Sequence, residues 1–108
     1  MAQARANLGY TIALTGKSDE GLRLLLEAGR FYEESNALKS PDAHLKRNYA
    51  ETLAQTGKIL ERKNNRLGLE AREIFRRSSD LWQDLKTRGV LQRADFSYVQ
   101  SVSQRLSQ

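Results

Sequence analysis

The sequence predicts an all-α fold: two antiparallel helix-turn-helix units closed by a C-terminal capping helix, a short solenoid. Three observations carry this reading. The helix formers Ala, Leu, Glu, Gln, Lys and Arg dominate, against one proline and seven glycines. Helix breakers gather at Gly16-Lys17-Ser18-Asp19, Lys39-Ser40-Pro41-Asp42, Asn64-Asn65 and Arg88-Gly89, dividing the chain into five segments. Within each segment apolar residues recur every three or four positions, which sets them on one face of a helix. At 108 residues the chain has room for a single domain, 1–108, with a helix pair over about 2–39, a second over about 40–88 and a cap over about 94–107.

The first helix is expected over about Ala2 to Thr15, with Leu8, Ile12 and Thr15 on one side and Ala4 a turn above them. The second starts with Ser18 as N-cap and Asp19 and Glu20 at the positive end of the helix dipole, then runs through Leu22, Leu25, Leu26, Gly29 and Tyr32 to Leu38. For the third, Ser40 is expected as N-cap and Pro41 at the first helical position, with Leu45, Tyr49, Leu53, Thr56 and Leu60 as its apolar stripe. The fourth carries Leu67, Ala71, Ile74, Phe75, Ser78, Leu81, Trp82 and Leu85. The last, about Ala94 to Leu106, has Val99, Val102 and Leu106 on one stripe and Ser and Gln elsewhere, as suits a helix that ends a stack.

A strand entering a phosphate loop is the one competing local reading, since Tyr10-Thr11-Ile12-Ala13-Leu14 precedes Gly16-Lys17-Ser18. Such a loop needs a glycine five positions before the Gly-Lys pair to wrap the phosphates, and Thr11 stands there. A helix-to-helix turn accounts for these residues.

The two helix pairs repeat one another. Asn7-Leu8-Gly9 leads through Gly21 to Leu25, and Gln55-Thr56-Gly57 leads through Ala71 to Phe75. Here the chain resembles the tetratricopeptide repeat family, with its Trp-x2-Leu-Gly-x2-Tyr, Ala-x3-Phe and Pro pattern, falling on Arg5, Leu8, Gly9, Ile12, Gly21 and Leu25 and on Leu53, Thr56, Gly57, Leu60, Ala71 and Phe75. Small residues at Gly9, Gly21, Gly57 and Ala71 suit a close helix crossing. The family's Trp is missing from both repeats, and Gly9 and Gly57 stand 48 residues apart where the family period is about 34, so the helices are longer than standard. The Trp82-x2-Leu85 ending and the Gly89-Val90-Leu91 turn resemble the tail of repeat arrays that follow bacterial serine/threonine kinases and similar signalling proteins. The resemblance implies a scaffold or adaptor module in a larger signalling protein. It also implies a partner peptide or helix in a groove lined by Asn7, Tyr10 and Leu14 in one repeat and Gln55, Lys58 and Arg62 in the other.

Charge sharpens and rivals that reading. The net charge is +5 and the isoelectric point near 9.8, and the surplus concentrates between Lys58 and Arg77. Lys58, Arg62 and Arg66 recur at four-residue spacing and can present one patch to phosphate or to an acidic peptide, with Arg72, Arg76 and Arg77 extending the basic stretch. The alternative function is therefore a basic helical nucleic-acid-binding or regulatory domain. An array of aromatic or Asn/Gln base readers does not accompany the charge, and the long helices do not suit a short recognition helix.

Catalytic chemistry has little to work with. His44 is the single histidine, and with no cysteine it has no second soft ligand to share a metal. The carboxylates Glu33-Glu34, Glu70-Glu73 and Asp80-Asp84 sit at helical spacings near Arg or Lys, as on a salt-bridged face. No enzyme activity, cofactor or metal site is expected. Tyr49 and Trp82 lie on apolar stripes and are expected to pack in the core. No apolar run approaches the ~20 residues that span a bilayer and no secretory leader pattern opens the chain, so no membrane partner and a cytoplasmic location are expected. Leu22, Leu24, Leu25 and Leu26 spread apolar surface around the second helix, which predicts self-association into a homo-oligomer.

Overall fold

The computed structural model describes residues 2–39 and 41–107, apart from the side chain of Leu38. Among these, five α-helices follow one another: α1 (Ala2–Leu14), α2 (Ser18–Glu34), α3 (Ala43–Asn64), α4 (Leu69–Thr87) and α5 (Asp95–Leu106), with a 3-10 turn at Ala37–Lys39. No helix among them is long and apolar enough to cross a membrane. The breaker clusters act at the helix ends. Gly16, Asn36, Asn65 and Gly89 all take positive φ after α1, α2, α3 and α4. After α3, the Asn65 N–H donates to the Arg62 carbonyl and the Arg66 N–H reaches back to the Glu61 carbonyl at 3.0 Å. This left-handed closure satisfies carbonyls that the helix leaves open. Gly16-Lys17 and Gly89-Val90 close α1 and α4 with the same pair of bonds.

The helix starts differ from expectation. Asp42, not Ser40, caps α3: its carboxylate accepts the N–H groups of His44 and Leu45 at 2.9 and 3.3 Å. Pro41 therefore precedes the cap, and Ser40 lies outside the described residues. Ser18 is the first residue of α2 and not its cap; Lys17 occupies that position and makes no side-chain capping bond. The second helix also stops at Glu34, because Asn36 turns the chain before Leu38.

Paired contacts set the helix directions. Gly9 meets Leu25 while Gly21 meets Ala13, so α1 and α2 run antiparallel. Lys46 bonds Asp84, Ser78 bonds the Ala50 carbonyl and Gly57 faces Phe75, so α3 and α4 do the same. Across the layer, Gln3 donates to Glu51 at 3.1 Å and Gln55 to Asn7 at 3.4 Å, both 48 residues apart. Arg47 pairs with Asp95, again 48 apart, and Arg105 with Glu61. The odd-numbered helices α1, α3 and α5 are therefore parallel neighbours with α3 central, and the 48-residue spacing of Gly9 and Gly57 is the lateral register of the first two.

The α1–α2 crossing is made of backbone. A Cβ on Gly9 would lie 2.7 Å from the Gly21 carbonyl oxygen and 2.8 Å from Leu24 Cβ, and one on Gly21 would run into the Gly9 carbonyl oxygen. So α1 buries Ala6, Gly9 and Ala13, and the expected face of Leu8, Ile12 and Thr15 is not the one it buries. Side chains as large as Leu8 do not fit between backbones this close, and Leu8 is turned outward. The fourth helix buries its expected Ala71, Phe75, Ser78, Leu81, Trp82 and Leu85. Tyr49 and Trp82 are both in the core, Tyr49 stacked on Tyr32 and Trp82 on Tyr98. On α2, Leu25 is fully buried, Leu22 and Leu24 are half-buried, and Leu26 remains exposed, so the leucine run is mostly absorbed within the chain.

A buried ion pair holds the cap. Arg47 Nε donates to Asp95 Oδ2 at 2.9 Å, with both side chains almost out of solvent. Arg47 also donates to the Val90 carbonyl at 2.7 Å, and the same Asp95 oxygen accepts the Gln92 N–H at 2.8 Å. The charges are thus compensated on both sides, as burial requires. The radius of gyration is 12.9 Å, close to the ~13 Å expected of a globular domain this size, and the extents of 37 × 33 × 23 Å describe a somewhat flattened body.

Three outcomes test this packing by chemical denaturation. Gly9→Ala is expected to destabilise by about 1–3 kcal/mol through overpacking, whereas Gly29→Ala, with open space around it, is expected to gain about 0.5–1 kcal/mol from helix propensity. Asp95→Ala strands a buried guanidinium and is expected to lose about 3–5 kcal/mol.

Candidate functional site

The parallel layer of α1, α3 and α5 leaves a hollow at the end where α3 turns into α4. Its volume is about 570 Å³. Tyr10 and Leu14 line it from α1, Lys58, Ile59, Glu61 and Arg62 from α3, Arg66 and Leu67 from the following turn, and Arg105 from α5. The local fold explains each position. Lys58 and Arg62 are one turn apart on the face of α3 between its parallel neighbours. Arg66 is past the end of the helix, and the left-handed turn at Asn65 brings it back to the same hollow. Arg105 is fixed from three sides: its Nε donates to Glu61 at 3.1 Å, one Nη to Ser101 at 2.8 Å, and its guanidinium lies 5.4 Å from the centre of the Phe75 ring.

The balance of charge in the hollow is positive. Four cations, Lys58, Arg62, Arg66 and Arg105, share it with one carboxylate, Glu61, which is taken by Arg105. Among the described residues no carboxylate pairs with Lys58, Arg62 or Arg66. Lys58 instead places its ammonium 5.5 Å from the centre of the Tyr98 ring, which also stacks on Trp82. Burial, and then the nearby Arg105, push the Lys58 ammonium below its usual pKa against the opposing pull of Glu61. The facing wall of Tyr10 and Leu14 is apolar apart from one hydroxyl, so the hollow offers a basic side and an apolar side.

Of the six groove residues, Tyr10, Leu14, Lys58 and Arg62 line the hollow together. Asn7 and Gln55 are one turn further along, joined to each other by the 3.4 Å bond, and the Gln55 Oε1 is buried without a donor among the described residues. The longer basic stretch divides. Arg66 joins the hollow, but Arg76 pairs with Glu73 on the exposed side of α4 at 3.3 Å. Arg77 reaches Glu33 of α2 at 2.9 Å and the Tyr49 hydroxyl, and Arg72 lies on α4 outside the hollow. His44 is exposed on the first turn of α3, its ring 3.3 Å from the Asn48 amide and away from the hollow. Sequence reasoning missed Arg105 and Tyr98. The signal was available: 48 residues beyond Gly57 is Arg105, the same step that relates Gly9 to Gly57.

No known protein family, curated protein or solved structure matches this chain. The site must speak through its own chemistry.

One carboxylate at the far end of this layer is held against its ionisation. Burial, and then Asp95, raise the pKa of Glu51 above 4.5, against the pull of Arg47 and His44. A carboxyl whose folded value is raised contributes stability below its unfolded value and loses it as pH rises through the folded one. At neutral pH, where the unfolded chain carries Glu51 ionised, this raised folded value therefore costs stability. Glu51→Gln, which can still accept from Gln3, is expected to unfold at higher denaturant than the parent at pH 7 and at nearly the same denaturant at about pH 4.

Proposed function

We propose that the chain is a protein-interaction module of the tetratricopeptide-repeat type, without catalytic activity, whose groove takes an acidic segment of a partner protein. The observation that carries this is the hollow itself, where three cations unpaired with any described carboxylate face Tyr10 and Leu14. An extended peptide with carboxylates on one edge and an apolar side chain on the other matches both walls, and charge-assisted bonds to guanidinium groups are the strong kind. The repeat reading is supported by Gly9 and Gly57 each facing the helix that follows, Gly9 against the α2 backbone at Gly21 and Leu25 and Gly57 against the Phe75 ring, and by the lateral step of 48 residues. A role in a larger signalling protein rests on the resemblance of the Trp82 to Leu91 region to kinase-associated repeat tails.

The nucleic-acid reading draws less support, because Arg76 and Arg77 are engaged by Glu73 and Glu33 and so the charge does not form one stripe along α4. A fluorescein-labelled Asp/Glu-rich peptide with one Leu, titrated by anisotropy, tests the proposal. Binding is expected at low salt and is expected to weaken as salt rises. Arg62→Glu and Tyr10→Ala are each expected to reduce affinity about tenfold or more, with the helical circular dichroism unchanged. Absence of binding at low salt overturns the reading, as does binding that survives Arg62→Glu but is lost with Arg76→Glu.

A further inference from the structure

Positions that are equivalent in the two helix pairs differ sharply in exposure. The step is 48 residues between α1 and α3, and 50 between α2 and α4, where Leu25 and Phe75 meet the two glycines. Thr56 is 3% exposed and its counterpart Leu8 is 55%; Leu81 is 2% exposed and its counterpart Phe31 is 50%. Thr52 is buried and Ala4 is exposed. In the second pair this face is covered: Thr52, Leu53 and Thr56 share a cleft with Leu25 and Gly29 of α2, and Leu81 packs with Tyr32 and Leu53. In the first pair, no described element lies against it. The difference is one of context, since the first pair carries apolar side chains at positions that are an interface in the second.

We propose that this outer face of α1 and α2 is where two copies of the chain pair about a two-fold axis. A second copy is the occupant that fits the charges. Up to Lys39 the chain has five basic and five acidic residues, so the first pair is neutral and does not repel itself, while the basic surplus sits on the far pair. The face also carries its own complement. Arg5 and Glu27 lie 3.7 Å apart within it, Glu27 being held at 2.9 Å by Arg23 as well, and a two-fold axis sets the cation of one copy against the anion of the other. Beside them is a hollow of about 410 Å³ lined by Ala2, Ala28 and Phe31, open to receive an apolar side chain. Head-to-tail stacking is disfavoured, because the opposite end exposes mostly polar side chains, Ser97, Gln100, Ser103 and Gln104 of α5 beside Phe96, and burying apolar against polar surface gains little. Self-pairing of one patch is the isologous arrangement of common dimers. The inference does not depend on what the basic groove binds.

Light scattering and sedimentation across a concentration series test it. The parent chain is expected to move from 12.3 kDa toward twice that mass. Leu8→Glu and Phe31→Glu are each expected to raise the dissociation constant about tenfold or more, and both positions are exposed enough for the monomer to keep its helical circular dichroism. Leu69→Glu and Phe96→Glu, at exposed apolar positions elsewhere, are expected to leave the dimer intact. A monomer at all concentrations overturns the proposal. So does a dimer indifferent to both Leu8→Glu and Phe31→Glu, or one broken by Leu69→Glu or Phe96→Glu.

Discussion

The third helix has almost no outside, and the rest of the structure follows from covering it. Contacts reach it from α1, α2, α4 and α5, so residues on nearly every side of α3 are buried between Lys46 and Leu60. Four neighbours around one helix leave little width at several of its positions, and Ala50, Thr52, Ala54, Thr56 and Gly57, small or self-satisfying, stand at five of them. Ala50 and Ala54 fill the interior, and Gly57 leaves room for the Phe75 ring. Thr52 and Thr56 return their hydroxyls to the Asn48 and Thr52 carbonyls one turn back, at 2.9 and 2.7 Å. Polar side chains can stand in the core because their hydrogen bonds are made within the helix itself.

Where that helix carries charge, the charge is matched to its depth. At its buried start, Lys46 and Arg47 are bound to Asp84 and Asp95 at 2.8 and 2.9 Å. Hydrogen bonding to Lys46 is the first cause holding the Asp84 carboxyl below its usual range. At its other end the helix rises to the surface, and Lys58, Arg62 and Arg66 are left to solvent and to the hollow. Arg62, in the last turn of α3, is favoured there by the helix dipole without a carboxylate of its own. The same residue that eases the end of α3 thus helps make the hollow basic.

The two helix pairs divide the work unevenly. The second supplies most of α3's own packing, the anchor for the cap and the basic wall of the groove. The first supplies the apolar wall, Tyr10 and Leu14, and leaves its far side open. That asymmetry is in the side chains as well as in their positions, since Leu8 and Phe31 stand where the second pair has Thr56 and Leu81. Cover over the second pair comes from α2, so the first pair is both a lid for its successor and an uncovered surface itself.

Much of this was legible in the residues alone. The C-terminal ends of α1, α3 and α4 were, since an αL turn at Gly16, Asn65 or Gly89 and its back-bonds span about six residues and depend on little else, whereas the stop of α2 before Asn36 and the caps of α2 and α3 were not. The small residues of the crossings and the 48-residue step were also legible, as were Tyr10, Leu14, Lys58 and Arg62 on one wall or the other of a groove. Tertiary structure decided the rest. It chose Ala6, Gly9 and Ala13 as the buried face of α1 over Leu8 and Ile12, paired Arg47 with Asp95, brought Arg105 to the hollow and drew Arg76 and Arg77 away from it. Those outcomes depend on which helices lie side by side and how closely their backbones approach, and a periodic pattern within one helix carries no information about its neighbours across the fold.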